Sequence, residues 1–383
     1  MASKTREWGL GVVSGKTKVD VFVIGGGPAG LAAAIAARQR GMSVAVADGT
    51  EPPIDKACGE GLMPETIAAL GELGVAIHPD AGYRFRGIRF LQQDAQAGGD
   101  FPQGLGIGIR RTILHEWLIA RAEECGVQLM WRAPVSGITE AGVHLAGEFV
   151  AARWIVGADG SGSRVRRWRG LDSATRQTQR FATRRHYRVR PWSDYVEFYW
   201  GHRAQAYVTP IGCEEVCIVV MAARAEDATF DLVLRDCPQL AQYLDGAELA
   251  SRERGAITQM HSLRAVYSGN VALVGDASGG VDAITGEGLR LAFQQAIALA
   301  DAVERNDLPS YARAHRQQAR KPALMGDLLL TLAKNDRLRT RSIRALAKRP
   351  QLFTRLLAAH TGQAALGDWL STGAQLGWQF LTT

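Results

Sequence analysis

Residues 19–24 form a β-branched apolar run that stops at a glycine cluster, and an alanine-rich stretch with helical spacing follows over 28–40. A second apolar run at 43–48 completes a strand–helix–strand unit of about 30 residues. The segment 49–64 has no period and reads as a loop. Helical spacing returns at 65–73 and at 112–125, where Leu114, Leu118 and Ala122 share one face. Short strands are predicted at 128–131, 142–145 and 154–157. From 186 to 223 the period drops to two, giving strands at 186–189, 195–200, 204–208 and 216–221, punctuated by Pro191, Gly201 and Gly212. A buried strand at 270–275 and a long helix at 288–302 return to the first style. No repeat is visible. A parallel, helix-covered unit interrupted by an antiparallel sheet predicts two interleaved lobes.

Composition narrows the class. Apolar residues make up 46% and charged residues 22% of the 383, which excludes a disordered, collagen-like or disulfide-framework chain. The five cysteines are odd in number and sparse, which points to a reducing compartment. Residues 1–18 lack the apolar core of a signal peptide, and no window is long and apolar enough for a membrane span, so a cytoplasmic location is expected. The net charge of +7 is local: residues 313–355 hold twelve Lys/Arg against Asp327 and Asp336, a local +10, leaving −3 elsewhere. Apolar residues interleave there, so amphipathic helices are expected. Their basic face either is solvated or meets an acidic membrane surface. Nucleic acid is not an expected partner. Metal chemistry is not expected either: Cys213 and Cys217 lack metal-spaced partners, and His115-Glu116 is not followed by the second histidine of a zinc-protease motif.

The glycines carry more. Gly25-Gly26-Gly27-Pro28-Ala29-Gly30 places G-x-G-x-x-G between the first strand and the first helix. In that pattern the first glycine makes a tight turn and the second lets a pyrophosphate approach the backbone. The third lets helix and strand close up, and the helix N-terminus attracts the negative charge. Asp48 ends the next strand, where a carboxylate accepts hydrogen bonds from ribose hydroxyls and repels a 2′-phosphate, so FAD or NAD is expected here rather than NADP.

Two later segments choose between those cofactors. Residues 155–165, IVGADGSGSRV, resemble the second fingerprint of flavoprotein hydroxylases, and 271–277, VALVGDA, resemble the third. With all three in order, the chain resembles the FAD-dependent p-hydroxybenzoate hydroxylase superfamily over 19–305. Residues 55–64, DKACGEGLMP, are similar to the K-x-C-G-G-x-L-x-P loop of the geranylgeranyl reductase branch, near the flavin halogenases. Residues 280–289 are similar to that branch's segment after the third fingerprint, and Ser278 stands where aromatic hydroxylases carry histidine.

The resemblance implies a mixed α/β fold: a discontinuous Rossmann-like FAD-binding domain (19–64, 106–170, 262–310), a substrate domain with an antiparallel sheet (65–105, 171–261) and a helical basic C-terminal region (311–383). It implies FAD contacts from Gly25, Gly27, Pro28, Ala29, Gly30, Asp48, Lys56, Cys58, Gly59, Asp159, Gly160, Gly275, Asp276, Gly286 and Gly288, with Arg110 or Arg111 near the cofactor. NAD(P)H is the implied transient electron donor, and the implied substrate is a hydrophobic small molecule.

The reaction type rests on the substrate lobe. Prenyl reductases carry Y-x-W-x-F-P and halogenases W-x-W-x-I-P where this chain has Gln205-Ala206-Tyr207-Val208-Thr209-Pro210. Only the proline matches. That departure favours monooxygenation of a lipophilic aromatic or polyketide-like molecule through a hydroperoxide at flavin C4a. Ene reduction of a prenyl or polyene chain is the alternative, ahead of halogenation or a non-catalytic flavin carrier. Candidate catalytic groups are Cys58, Glu60, His186 and Tyr207, and Tyr187, Tyr195 and Tyr199 are further candidates for the pocket wall.

Overall fold

A computed structural model describes residues 18–360 except 79 and 146. The apolar runs found in the sequence become the middle of a sheet. Strand Lys18–Ile24 lies between Glu148–Gly157 and Val44–Ala47, parallel to both, and Val271–Leu273 and Gln128–Met130 extend the parallel array on either side. Both faces of these strands are covered, so nearly every position is apolar rather than every second one. Helix Pro28–Gln39 packs on one face, with Gly30 and the residues from 31 to 37 all buried. Its alanines let helices Arg111–Glu124 and Gly288–Glu304 lie close beside it.

The second sheet runs Glu248–Leu249, Ala174–Arg188, Glu215–Ala222, Ala204–Gly212, Tyr195–Trp200, Gly87–Gln92, Ala95–Asp100. It is antiparallel except where Tyr195–Trp200 pairs with Gly87–Gln92, and Arg254–Leu263 pairs along the long strand Ala174–Arg188. A small third sheet, Gly61–Leu62, Gly106–Gly108 and Tyr83–Phe85, joins the two lobes. It is seated closely: a Cβ on Gly108 would stand 1.8 Å from the Pro210 carbonyl oxygen.

Segment 65–105, assigned above to the substrate domain, divides. Helix Pro64–Glu72 and the following residue send Ala69, Leu70 and Leu73 into the nucleotide-side core, whereas Gly87–Gln92 and Ala95–Asp100 join the substrate sheet. Those two strands carry no clear period in sequence. Ala95–Asp100 reads AQAGGD, and its strand state comes from its partner and from a covering helix: a Cβ on Gly99 would meet the Phe353 ring at 2.9 Å.

The basic C-terminal region is helical, as Leu308–Lys334, Asp336–Ala347 and Pro350–His360; its residues beyond 360 lie outside the described ones. Much of its apolar face is covered, with Leu324 and Leu328 left exposed. Leu329, Leu332, Ile343, Leu346, Leu352 and Phe353 pack on Phe90, Phe198 and Trp200 of the substrate sheet. Arg339 is 1% exposed there, lying over Trp200 and bonded to Asp336 at 2.9 Å. Among the described residues no helix is long and apolar enough to cross a membrane.

Candidate functional site

The first strand ends where sterics permit only glycine. Gly25 has φ +113°, and a Cβ on it would lie 2.4 Å from the Ala158 carbonyl oxygen. A Cβ on Gly30 would lie 1.9 Å from the Gly25 carbonyl oxygen, so the third glycine closes helix onto loop. Gly27 differs: a Cβ there would meet nothing within 4 Å, and its open side belongs to the cavity. Helix Pro28–Gln39 begins at Gly27 without a side-chain cap or an acidic residue in its first turn. Its free N–H groups and positive end are therefore offered to an anion from outside the chain.

Asp48 fixes this loop as well as lining the cavity. Its Oδ2 accepts from the Gly26 amide at 2.7 Å, and its Oδ1 accepts from the amide and hydroxyl of Thr50 at 2.8 and 2.7 Å. The fully buried His115 holds the other side. Its Nδ1 accepts from the Ile54 amide at 3.2 Å, so Nε2 carries the hydrogen and donates to the Gly26 carbonyl at 2.8 Å. Burial pushes its pKa below the ordinary histidine value, which keeps that tautomer. In sequence, His115 shows only as part of a zinc motif that fails.

The second and third fingerprints reach the same cavity. Asp159 Oδ2 accepts from the amides of Arg164 and Val165 at 2.6 and 3.2 Å, holding the short helix that follows. Its Oδ1 is buried without a partner on the cavity side. Gly160 and Asp276 line the cavity, Asp276 on the turn Gly275–Ser278, where Gly275 has φ +59° and sits against Ala29. Ser278, at the position that is histidine in aromatic hydroxylases, instead meets the His315 ring, Oγ to Nε2 at 2.9 Å.

Burial lowers the pKa of His315 to about 4 from 6.5. Below pH 6.5 the unfolded chain takes up a proton that the folded chain refuses, so stability falls as pH drops towards 4. At about 1.36 kcal/mol per pH unit the loss is on the order of 3 kcal/mol. Urea denaturation at stepped pH is expected to show a weaker acid-side loss in His315→Gln than in the parent chain. Parallel curves would remove His315 from the effect.

At the inner end, Lys56, Cys58, Gly59 and Glu60 form one wall, and Gly286, with φ +69°, and Gly288 form another. Of the two arginines, Arg111 faces the cavity, with a buried Nε that has no hydrogen-bond partner. Arg110 turns away to pair with Glu215 and donates to His186 Nδ1 at 2.8 Å. His186 therefore has a fixed tautomer: Arg110 can only donate, so Nδ1 accepts and Nε2–H is given to Glu60 Oε2 at 2.7 Å. Glu60 itself stands at φ +58°, a left-handed conformation that suits glycine, and glycine is what the reductase-type loop pattern carries there. Its other oxygen accepts from the Arg111 amide at 3.0 Å and from Arg184 at 3.2 Å, and Arg184 makes a two-pronged pair with Asp55 at 2.8 and 3.0 Å.

Four candidates lie away from the cavity wall. His186 is fully buried behind Glu60 and does not line the cavity. Its neighbour Tyr187 cannot share its face, because adjacent strand residues point to opposite sides; Tyr187 lies in the core with Phe230. Tyr195 and Tyr199 also leave the wall, bonding Asp100 and Glu197 at 2.6 and 2.7 Å. Tyr207 stays on the wall.

Glu60, His186 and Cys217 offer ligand atoms within 4.8 Å of one another. Two guanidinium groups already bond this cluster, and burial pushes the Cys217 thiol well above its ordinary pKa. Its chemistry is that of an arginine-balanced hydrogen-bond network rather than a cation site.

The cavity has a volume of about 670 Å³ and runs from Asp48 past the fingerprints to an apolar end walled by Phe85, Ile88, Val196, Val219, Met221 and Ile257. A long dinucleotide fits what its walls offer: the open Gly27, the uncapped helix, the unpartnered Asp159 Oδ1 and the unpartnered Arg111 Nε. Fold and site together define an FAD-dependent oxidoreductase. Residues 18–304 match the FAD binding domain family, and the chain belongs to that family. It is 28% identical over 333 residues to the menaquinone reductase of Mycolicibacterium smegmatis, covering 78% of this chain and 79% of that protein. It is 28% identical over 295 residues to digeranylgeranylglycerophospholipid reductase 1 of Methanopyrus kandleri, covering 72% and 77%. The solved flavin-dependent brominase Bmp2 shares the fold, with a TM-score of 0.77 at 18% identity over 90% of this chain and 94% of that one.

Proposed function

We propose that this oxidoreductase saturates a carbon–carbon double bond in a lipophilic, isoprenoid-type substrate, using electrons that NAD(P)H delivers to the flavin. The observation that carries the reading is the apolar inner end of the cavity. Beyond the wall formed by Lys56, Cys58, Gly59 and Glu60, the described lining at that end is apolar apart from the hydroxyls of Tyr207, Thr209 and Thr258, and His186, Tyr187, Tyr195 and Tyr199 lie elsewhere. Monooxygenation of a lipophilic aromatic or polyketide-like molecule, which the motif departure favours, is the second reading. The menaquinone reductase and the digeranylgeranylglycerophospholipid reductase described above, both relatives at 28% identity, support the same reading.

FAD, when bound, supplies the hydride. The chain's own residues bind, orient and exclude water. Gly27 and the first helix would hold the pyrophosphate, with Asp48, Asp159 and Asp276 along its length. The Cys58–Glu60 and Gly286–Gly288 loops would flank the ring, and Phe85, Val196 and Met221 would keep the reacting alkene dry. The C-terminal helices expose Arg316, Arg320, Arg341 and Arg344 together with Leu324 and Leu328, a combination suited to an anionic membrane surface from which such a substrate would be drawn.

The test is anaerobic turnover of a prenylated lipid in anionic vesicles with NADH or NADPH. A product gaining two hydrogens, formed at a rate that falls as salt rises, is expected. Substrate-dependent oxygen uptake with an oxygenated product would replace reduction by hydroxylation. A rate indifferent to salt and vesicle charge would remove the membrane contact alone.

A further inference from the structure

Tyr207 at the inner end of the cavity and Arg180, beside it on the same sheet face but outside the lining, carry three buried donor atoms without a hydrogen-bond partner. On strand Ala204–Gly212 the alternate residues Gln205, Tyr207 and Thr209 share one face, and Tyr207 and Thr209 line the cavity. Across the sheet, Met221 pairs with Gln205 and with Ala182, which puts Arg180, two residues from Ala182, on the same face. Arg180 is 5% exposed. Its Nη2 donates to Gln205, but its Nη1 and Nε have no hydrogen-bond partner. Nη1 stands 3.6 Å from Asp282 Oδ1, and that oxygen already accepts from the Ile284 amide at 3.0 Å. The Tyr207 hydroxyl is buried with no partner, and the charges acting on it are those of Arg180 and Asp282. Buried donors left unpaired are costly, so a cluster of them calls for an acceptor that binds.

The chemistry of that acceptor can be read from the cluster. The two Arg180 nitrogens can only donate and the Tyr207 hydroxyl can donate as well, so an acceptor is the ligand atom that satisfies all three. Asp282 offsets the Arg180 charge, and a carboxylate or phosphate placed there would face Asp282 as well. A neutral carbonyl oxygen, with two lone pairs and no charge, meets both conditions. Where prenyl reductases and halogenases have tryptophan at the centre of this motif, this chain has a tyrosine that brings a hydroxyl to that spot.

We propose that Arg180 and Tyr207 form a carbonyl-binding subsite that holds a ketone or quinone head while the alkene of the same molecule lies at the flavin. This rests on the reduction reading for the alkene, but binding of the carbonyl can be measured without turnover.

Oxidised holoenzyme is titrated with menadione, which carries two ring carbonyls, and with 2-methylnaphthalene, the same ring and methyl group without them, using equilibrium dialysis. Menadione is expected to bind at least about tenfold tighter, the worth of one to two hydrogen bonds. Tyr207→Phe, which keeps the ring and removes only the hydroxyl, is expected to weaken menadione about tenfold and leave 2-methylnaphthalene unchanged. Equal affinities for the two probes in the unaltered protein overturn the subsite, whatever the variant does. So does a Tyr207→Phe protein that loses both probes equally, or one that changes FAD affinity and flavin spectrum with no probe present, since the hydroxyl would then serve the flavin. If menadione is preferred but no alkene is reduced, the subsite stands and the reduction reading falls.

Discussion

Gly27→Asp is expected to purify without colour. The side of Gly27 that would carry a Cβ is open to the cavity, and the residue caps a helix whose first turn has neither an acidic side chain nor a side-chain cap. An aspartate there would occupy the space of the pyrophosphate and put like charge beside it. Like-charge juxtaposition costs several kcal/mol, roughly a hundred- to a thousandfold in affinity. The fold should persist, because no protein atom lies within 4 Å of the added Cβ. The measurement is FAD content by absorbance after reconstitution, alongside circular dichroism. A yellow Gly27→Asp protein with normal FAD affinity would mean that the dinucleotide lies elsewhere. Gly30→Ala provides the contrast: its Cβ would collide with the Gly25 carbonyl, so fold and cofactor should suffer together.

These glycines were legible in sequence because the constraint on each is local. A φ of +113° or a carbonyl 1.9 Å from a would-be Cβ leaves one residue type, and the spacing of such residues along the chain is fixed by the turn itself. Asp48 was legible for the same reason, as the end of the strand beside the loop. The Asp48 bond to Gly26 was not, nor was the part played by His115, because a side chain that secures a loop from 89 residues away leaves no periodic trace. Choosing Arg111 over Arg110 required knowing what each meets, and the partners of Arg110 lie 76 and 105 residues on. Tyr187, Tyr195 and Tyr199 fall away from the wall for a plainer reason. Period two says that a strand has two faces but not which one is wetted by the cavity, and His186 and Tyr187 could not both have been right. The strands at 87–92 and 95–100 were missed because glycine and alanine have little strand preference of their own. Their state is imposed by Tyr195–Trp200 on one side and by helix packing on the other.

Arg184→Leu is expected to cost about 3–5 kcal/mol of folding stability, the range for removing one partner of a buried ion pair. Arg184 is 1% exposed and bonds Asp55 and Glu60, which come from the loop that carries Lys56, Cys58 and Gly59. Leucine would leave Glu60, 3% exposed, with only the Arg111 amide and His186, and Asp55 with Arg254 alone. Glu60 also occupies a left-handed backbone conformation that costs a non-glycine residue about 1 kcal/mol or more, and its side-chain bonds offset that strain. Once those bonds weaken, the loop should relax away from the flavin wall. Loss of FAD affinity is therefore expected together with the fall in urea midpoint. Glu60→Gly relieves the strain, leaves His186 Nε2–H without its acceptor and leaves Arg184 with Asp55 alone, so it should destabilise less than Arg184→Leu. The double variant should cost clearly less than the two losses added, because both act on one network. Strict additivity, or an Arg184→Leu protein as stable as the parent, would show that Arg184 and Glu60 are not coupled and that another contact sets the position of the 55–64 loop.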